Sequence, residues 1–247
     1  MSLSTINTLT TEAMANYVVT TILATSSRKL ALGEPFTLAL AGGTTPKRVY
    51  QKLKQHSQCM QHWHILYSDE RFLNKKEADR NETLFLSSFG SLPEGIQHTP
   101  YLSANTTSLH DAQAHYIDCL NRINSIDICL LGVGEDGHSA SLFPNNLEKD
   151  KNNPSPIITI DNSPKPPAQR LSFNYNLIEQ CRHVVCLASG ASKNTALQQA
   201  LIEKDTRLPI HYLFSQAELN SQQHFELLAD APACQNMEPL FSPAHFA

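Results

Sequence analysis

The chain has 247 residues, 41% of them apolar and 17% charged, and a formal net charge of −4. This balance excludes a disordered chain and supplies a core that needs no disulfide staples. No run of Lys or Arg exceeds two residues, against the concentrated basic face of a nucleic-acid binder, and no apolar stretch reaches the length of a membrane-spanning helix.

The N-terminal residues Met1–Thr11 are polar and lack a basic n-region or an apolar h-region, so no signal peptide is expected. The stretch Thr11–Leu30 has helical spacing: Ala13, Tyr17 and Thr21 share a face, Met14, Val18 and Ile22 lie beside it, and Thr10 or Thr11 can cap the start. Further helices are predicted over Pro46–Gln55, Ser108–Arg122, Tyr175–Gln180 and Ser192–Glu203. Short apolar runs predict buried strands at Phe36–Leu40, Ile65–Tyr67, Ile126–Leu131, Ile157–Ile160 and Val184–Ala188. Strands alternating with helices imply one α/β domain over residues 1–247, with a mainly parallel sheet covered on both faces. Ligands of such sheets bind at the carboxyl ends of the strands.

Five motifs follow predicted strands. In Gly42-Gly43-Thr44-Thr45-Pro46, two glycines allow close backbone approach, Pro46 suits a first helical turn, and the free N–H groups favour an anion such as phosphate, with the Thr44 and Thr45 hydroxyls as extra donors. Ser68-Asp69-Glu70-Arg71 is expected as a strand-end loop: Arg71 can hold phosphate oxygens or an oxyanion, Asp69 can bind sugar hydroxyls, and Asn81 can cap the next helix or fix this loop. Leu131 to Pro144 carries three glycines within six residues and presents Asp136 and His138. A neutral imidazole takes a proton from water near neutral pH, and Asp136 can hold its tautomer. A metal at Asp136 and His138 is disfavoured, because no H-x-x-x-H pattern or clustered third ligand appears nearby.

The segment Asn152–Ala168 carries five prolines. It presents Lys165 and leads to Arg170 at the start of a short strand, a stiff clamp for phosphate. In Ala188-Ser189-Gly190-Ala191-Ser192-Lys193, Lys193 lies in a first helical turn, where a bound anion would offset its unfavourable position. The six cysteines form no C-x-x-C pair and read as buried free thiols of a reducing compartment, placing the protein in the cytoplasm.

Together the motifs resemble the 6-phosphogluconolactonase family. The resemblance rests on Gly42–Pro46, Asp69–Arg71, Gly134–Pro144, Ser163–Pro167 with Arg170, and Gly190–Lys193, in family order over nearly the whole chain. It implies a modified Rossmann-like α/β fold, related to glucosamine-6-phosphate deaminase. It also implies hydrolysis of a sugar phosphate lactone without metal or organic cofactor, in a monomer or small homo-oligomer. His138 is then the base that activates water, with Arg71 and Lys165 lining the site. The chain departs from the family pattern at Thr44 in place of Ser, at Ser68 in place of Gly, at Phe72-Leu73-Asn74 in place of Val-Pro, and at Arg80 in place of Ser.

A deaminase or isomerase on the same fold is the competing enzyme. The deaminase pattern carries Asn-Glu after Asp-Gly-His, whereas no acid follows His138 until Glu148. A sugar-phosphate sensor without turnover is the non-enzymatic reading, and retention of both Asp136 and His138 opposes it.

Overall fold

Apolar runs followed by polar stretches of helical spacing fold as alternating strands and helices. The computed structural model describes residues 4–74, 77–103, 106–237 and 242–243. In chain order the elements begin with β1 (Ser4–Thr8), α1 (Thr11–Ala31), β2 (Phe36–Leu40), α2 (Thr44–Leu53), β3 (Trp63–Tyr67), β4 (Asp69–Arg71), α3 (Asn81–Phe89) and β5 (Gln97–His98). There follow α4 (Leu109–Leu120), β6 (Ile128–Gly132), α5 (Leu147–Lys151), β7 (Ile157–Ile160), β8 (Arg170–Phe173) and α6 (Tyr175–Ile178). The chain continues through β9 (His183–Ala188), α7 (Asn194–Leu201), α8 (Pro209–Leu219), β10 (His224–Ala229) and β11 (Ser242–Pro243).

Eight strands form one sheet in the order β11-β1-β10-β9-β6-β2-β3-β5. Every neighbouring pair in it is parallel. All of β2, and all but one end residue of β6, β9 and β10, is buried. Consecutive burial means that both faces of the sheet centre are covered, as the apolar runs predict. Helices α1, α2 and α3 pack successively on one another, while α8 packs on α7, β1 and β10.

A second sheet, β4-β8-β7, is antiparallel. It corrects the expectation of a loop at Ser68–Arg71. Asp69, Glu70 and Arg71 pair with Ser172, Leu171 and Arg170, because the chain leaving β3 meets the open edge of β8. Helix boundaries shift slightly from the expected ones: Thr10 and Ser108 accept from Ala13 and Asp111 as N-caps, and a 3-10 turn at Ala191–Lys193 precedes α7. β1, β5, α5, α8, β10 and β11 are additional. β1 joins the sheet beside β10 although Met1–Thr11 contains no apolar run.

Two buried tyrosines fix the strand ends that carry the motifs. The Tyr50 hydroxyl donates to the Ala41 carbonyl (2.6 Å) and accepts from its amide (3.0 Å). Tyr116 does the same for Tyr67, accepting at 2.8 Å and donating at 3.1 Å. Buried hydroxyls satisfied in this way stop the strands where the sheet's own hydrogen bonds run out.

Candidate active site

From β2 the chain moves outward to β3 and β5, then returns to β6 on the other side of β2 and continues outward through β9 and β10. The loops leaving β2 and β6 therefore diverge and open a crevice at their carboxyl ends. A cavity of about 300 Å³ occupies it, lined by Gly42, Gly43, Asp69, Arg71, Asn81, Gly134, Glu135, His138, Lys165, Arg170 and Lys193, among others.

The loop after β6 turns back on itself. The Gly137 amide donates to the Gly134 carbonyl (3.1 Å), and the Gly134 amide donates to the His138 carbonyl (2.8 Å). Gly137 has φ +77°, a left-handed conformation that side chains disfavour. A Cβ on Gly134 would stand 2.0 Å from His138 Nδ1, so only glycine lets the imidazole lie against this turn. Phe143, 4.9 Å from the imidazole between ring centroids, supports its other side.

His138 Nδ1 is 2.5 Å from Asp136 Oδ1. Partial burial opposes ionisation of Asp136, but the hydrogen bond and charge of His138, a backbone amide and Lys165 outweigh it and hold the carboxyl well below its ordinary range. In the neutral ring a carboxylate so placed holds the imidazole proton on Nδ1. Nε2 of that tautomer is a lone-pair acceptor, and His138 lines the cavity.

The opposite wall is built by β4 and α3. Glu70 accepts backbone N–H bonds from Arg71 (2.8 Å), Asn81 (2.7 Å) and Glu82 (3.0 Å), and so caps α3 from outside the helix. Its burial pushes the carboxyl up to about 7 against those amides and the neighbouring Arg80 guanidinium. Asp69 has both oxygens engaged: Oδ1 accepts from Asn81 Nδ2 (2.8 Å) and Oδ2 from Ser141 Oγ (2.7 Å). Gly42 is required here as well, since a Cβ would meet Asn81 Oδ1 at 2.1 Å.

Four cations face the cavity. Arg71 donates from Nη1 to the Asp79 carbonyl at 2.5 Å. Lys165 Nζ lies 3.0 Å from Glu135 and 3.5 Å from Asp136. Lys193 forms no ion pair among the described residues; burial, then repulsion from Lys165, lowers its pKa. The Asp230 carboxylate sets the turn before it, accepting from the Gly190 amide at 2.9 Å and from Ser189 Oγ at 2.5 Å. Arg170 is buried, and burial also lowers its pKa. Its donors reach the carbonyls of Lys165 (3.3 Å), Pro166 (2.8 Å) and Pro167 (3.1 Å) and the Ser141 hydroxyl (3.4 Å). An anion entering this cavity would relieve repulsion among partly desolvated cations.

Of the expected site residues, Gly42, Gly43, Asp69, Arg71, His138, Lys165, Arg170 and Lys193 converge on one cavity. Asp136 stands behind His138. Thr44 and Thr45 begin α2 beside Gly43 but are not part of the lining, and Thr44 is exposed. Arg170 spends most of its donors on the proline-rich segment rather than on the cavity. Asn81, seen in the sequence only as a cap or loop anchor, lines the wall, and Ser141, Phe143 and Asp230 support it. A Ser three residues after an Asp-Gly-His turn was the available signal for Ser141; Asp230, far along the chain, offered none.

The family model for glucosamine-6-phosphate isomerases and 6-phosphogluconolactonase matches residues 9–222. The chain belongs to this family. A 6-phosphogluconolactonase of Synechocystis sp. is 31% identical over 215 residues, covering 82% of this chain and 85% of that protein. A probable 6-phosphogluconolactonase of Drosophila melanogaster is 27% identical over 217 residues, 87% of each chain. Among solved structures, the 6-phosphogluconolactonase of Trypanosoma brucei superposes with a TM-score of 0.79 over 95% of this chain and 98% of that one, at 22% identity. That likeness shows that this family member has the same mainly parallel α/β fold.

Proposed function

We propose that the protein hydrolyses 6-phospho-D-glucono-1,5-lactone to 6-phospho-D-gluconate, the second step of the oxidative pentose phosphate pathway. The observation that carries this reading is the Asp136–His138 pair on the wall of a cavity that also holds four cations. The family relatives named 6-phosphogluconolactonase support the substrate.

In this mechanism the cations and the N-terminus of α2 at Gly43 receive the phosphate. His138 Nε2 takes a proton from a water, and the oxygen attacks the lactone carbonyl. The resulting oxyanion is met by Arg71 or by backbone N–H groups, stabilisation worth about 3–4 kcal/mol per donor in other hydrolases. Collapse breaks the bond to the ring oxygen, which takes the proton back from the imidazolium. No metal or organic cofactor enters these steps. Asp136 keeps its negative charge throughout and stabilises the imidazolium. The cytoplasm suits the protein, since all six cysteines are free thiols; four are buried, Cys119 is half-buried and Cys59 exposed.

The test is to add the protein to freshly generated lactone and follow acid release against the spontaneous rate. Acceleration is expected. No acceleration, with ammonia released from glucosamine 6-phosphate instead, would replace the lactonase by a deaminase.

A further inference from the structure

A second cluster of reactive side chains lies at the other end of the sheet. His183 and His224 are the first residues of β9 and β10 and pair directly across the parallel ladder. Glu226, two residues further along β10, points to the same side of the sheet as His224. The cavity follows the last residues of the strands. Six residues of β9 thus separate the cluster from it by roughly 15–20 Å.

The three side chains converge. His183 Nε2 is 3.0 Å from Glu226 Oε2, and His224 Nε2 is 3.3 Å from Glu226 Oε1. All three ligand atoms lie within 4.8 Å of one another. Around an ion with bonds of about 2.0–2.1 Å, tetrahedral ligand atoms are spaced about 3.3–3.4 Å apart. The carboxylate-to-imidazole spacings, one to each oxygen of Glu226, are close to that edge length. Glu226 is held by a further contact, since the Tyr17 hydroxyl on α1 donates to its Oε1 at 2.5 Å. A ligating carboxylate fixed by an outer hydrogen bond is a recurring feature of metal centres. The Glu226 side chain is 5% exposed, but those of His183 and His224 are 16% and 35% exposed, which leaves an entry path from solvent.

We propose that His183, His224 and Glu226 form a binding site for a divalent transition ion of the zinc class, with water as the fourth ligand. Two imidazoles and one carboxylate suit zinc and its neighbours and disfavour calcium or magnesium, which prefer all-oxygen shells. Binding replaces each Nε2···Glu226 contact by an Nε2–metal bond; each ring binds as the neutral tautomer protonated on Nδ1, and any proton that Nε2 carried is exchanged with solvent. The ion would tie β9 to β10 at the edge where both strands start, and it is independent of the lactone chemistry.

The experiment titrates chelator-treated full-length protein with Zn²⁺ by calorimetry and, in parallel, with Co²⁺ by visible absorption. One ion per chain is expected, with the intense visible bands of four-coordinate Co²⁺. The melting temperature should rise by roughly 5–10 °C at a hundredfold excess of zinc over Kd. His224→Ala and the nearly isosteric Glu226→Gln should each abolish that stoichiometric binding, whereas His138→Ala should retain it. Absence of binding to the unaltered protein would overturn the proposal, a result that needs no variant to fold. So would binding that survives in His224→Ala, or that disappears in His138→Ala.

Discussion

In the proposed mechanism the chemistry depends on a single lone pair, that of His138. His138→Ala should lower kcat by at least about 100-fold with little change in KM, because a general base acts in the transition state and grips no part of the ground-state substrate. Steady-state kinetics on the lactone checks this, and a change confined to KM would assign the ring to binding. Asp136 carries a pH prediction. Its carboxyl is held below the ordinary aspartate value of 3.8, so the ionised form stabilises the folded chain at every pH above that value. The contribution is lost as pH falls through and below it. Asp136→Asn should therefore be less stable than the parent at about pH 5, and the margin should shrink as pH falls below about pH 4. Urea melts across that range measure it. A margin that widens below about pH 4 would mean that the carboxylate is not held by its partners. Both residues were legible in the sequence, because an acid and an imidazole on a glycine-rich turn after a buried strand have few structural uses together.

At the level of elements, two short pieces place these groups. The turn Gly134–Gly137 is the first. Gly134→Ala should displace the imidazole and reduce activity at least tenfold while the fold survives, which far-ultraviolet circular dichroism alongside kinetics would show. The second is the proline-rich segment before β8, folded around Arg170. Lysine keeps the charge but cannot reach three carbonyls and a hydroxyl as a planar fork does. Arg170→Lys should therefore raise KM at least several-fold through misplacement of Lys165, and a variant with unchanged KM would refute that link. The sequence suggested a cation for the phosphate at this position. Its role as a loop anchor was hidden, since backbone carbonyls leave no mark in residue identity. β4 was hidden for a related reason: three charged residues read as solvated, yet Asp69 and Glu70 find buried partners contributed by α3 and the loop after β6, and Arg71 pairs with Arg170 of β8 in the ladder.

For the molecule as a whole, the parallel sheet was legible because its central strands are continuous apolar runs. Leu130 in β6 is fully buried. Leu130→Ala should cost about 2–5 kcal/mol, seen as a lower urea midpoint with unchanged slope. The outer strands were harder to read, since β1 is polar in sequence and β10 carries Glu226 at its centre. The relation between the two sheets was not legible at all, and it turns on Asp69. One of its oxygens holds Asn81, at the head of α3; the other holds Ser141, on the segment that follows the histidine turn. This carboxylate is a buckle, drawing the arginine wall and the imidazole wall to a fixed span. Both of its partners present hydrogens, so an amide in its place would turn an NH₂ group toward one of them, and the span would widen. An enzyme altered at that one position would keep every reacting group and lose the distance between them.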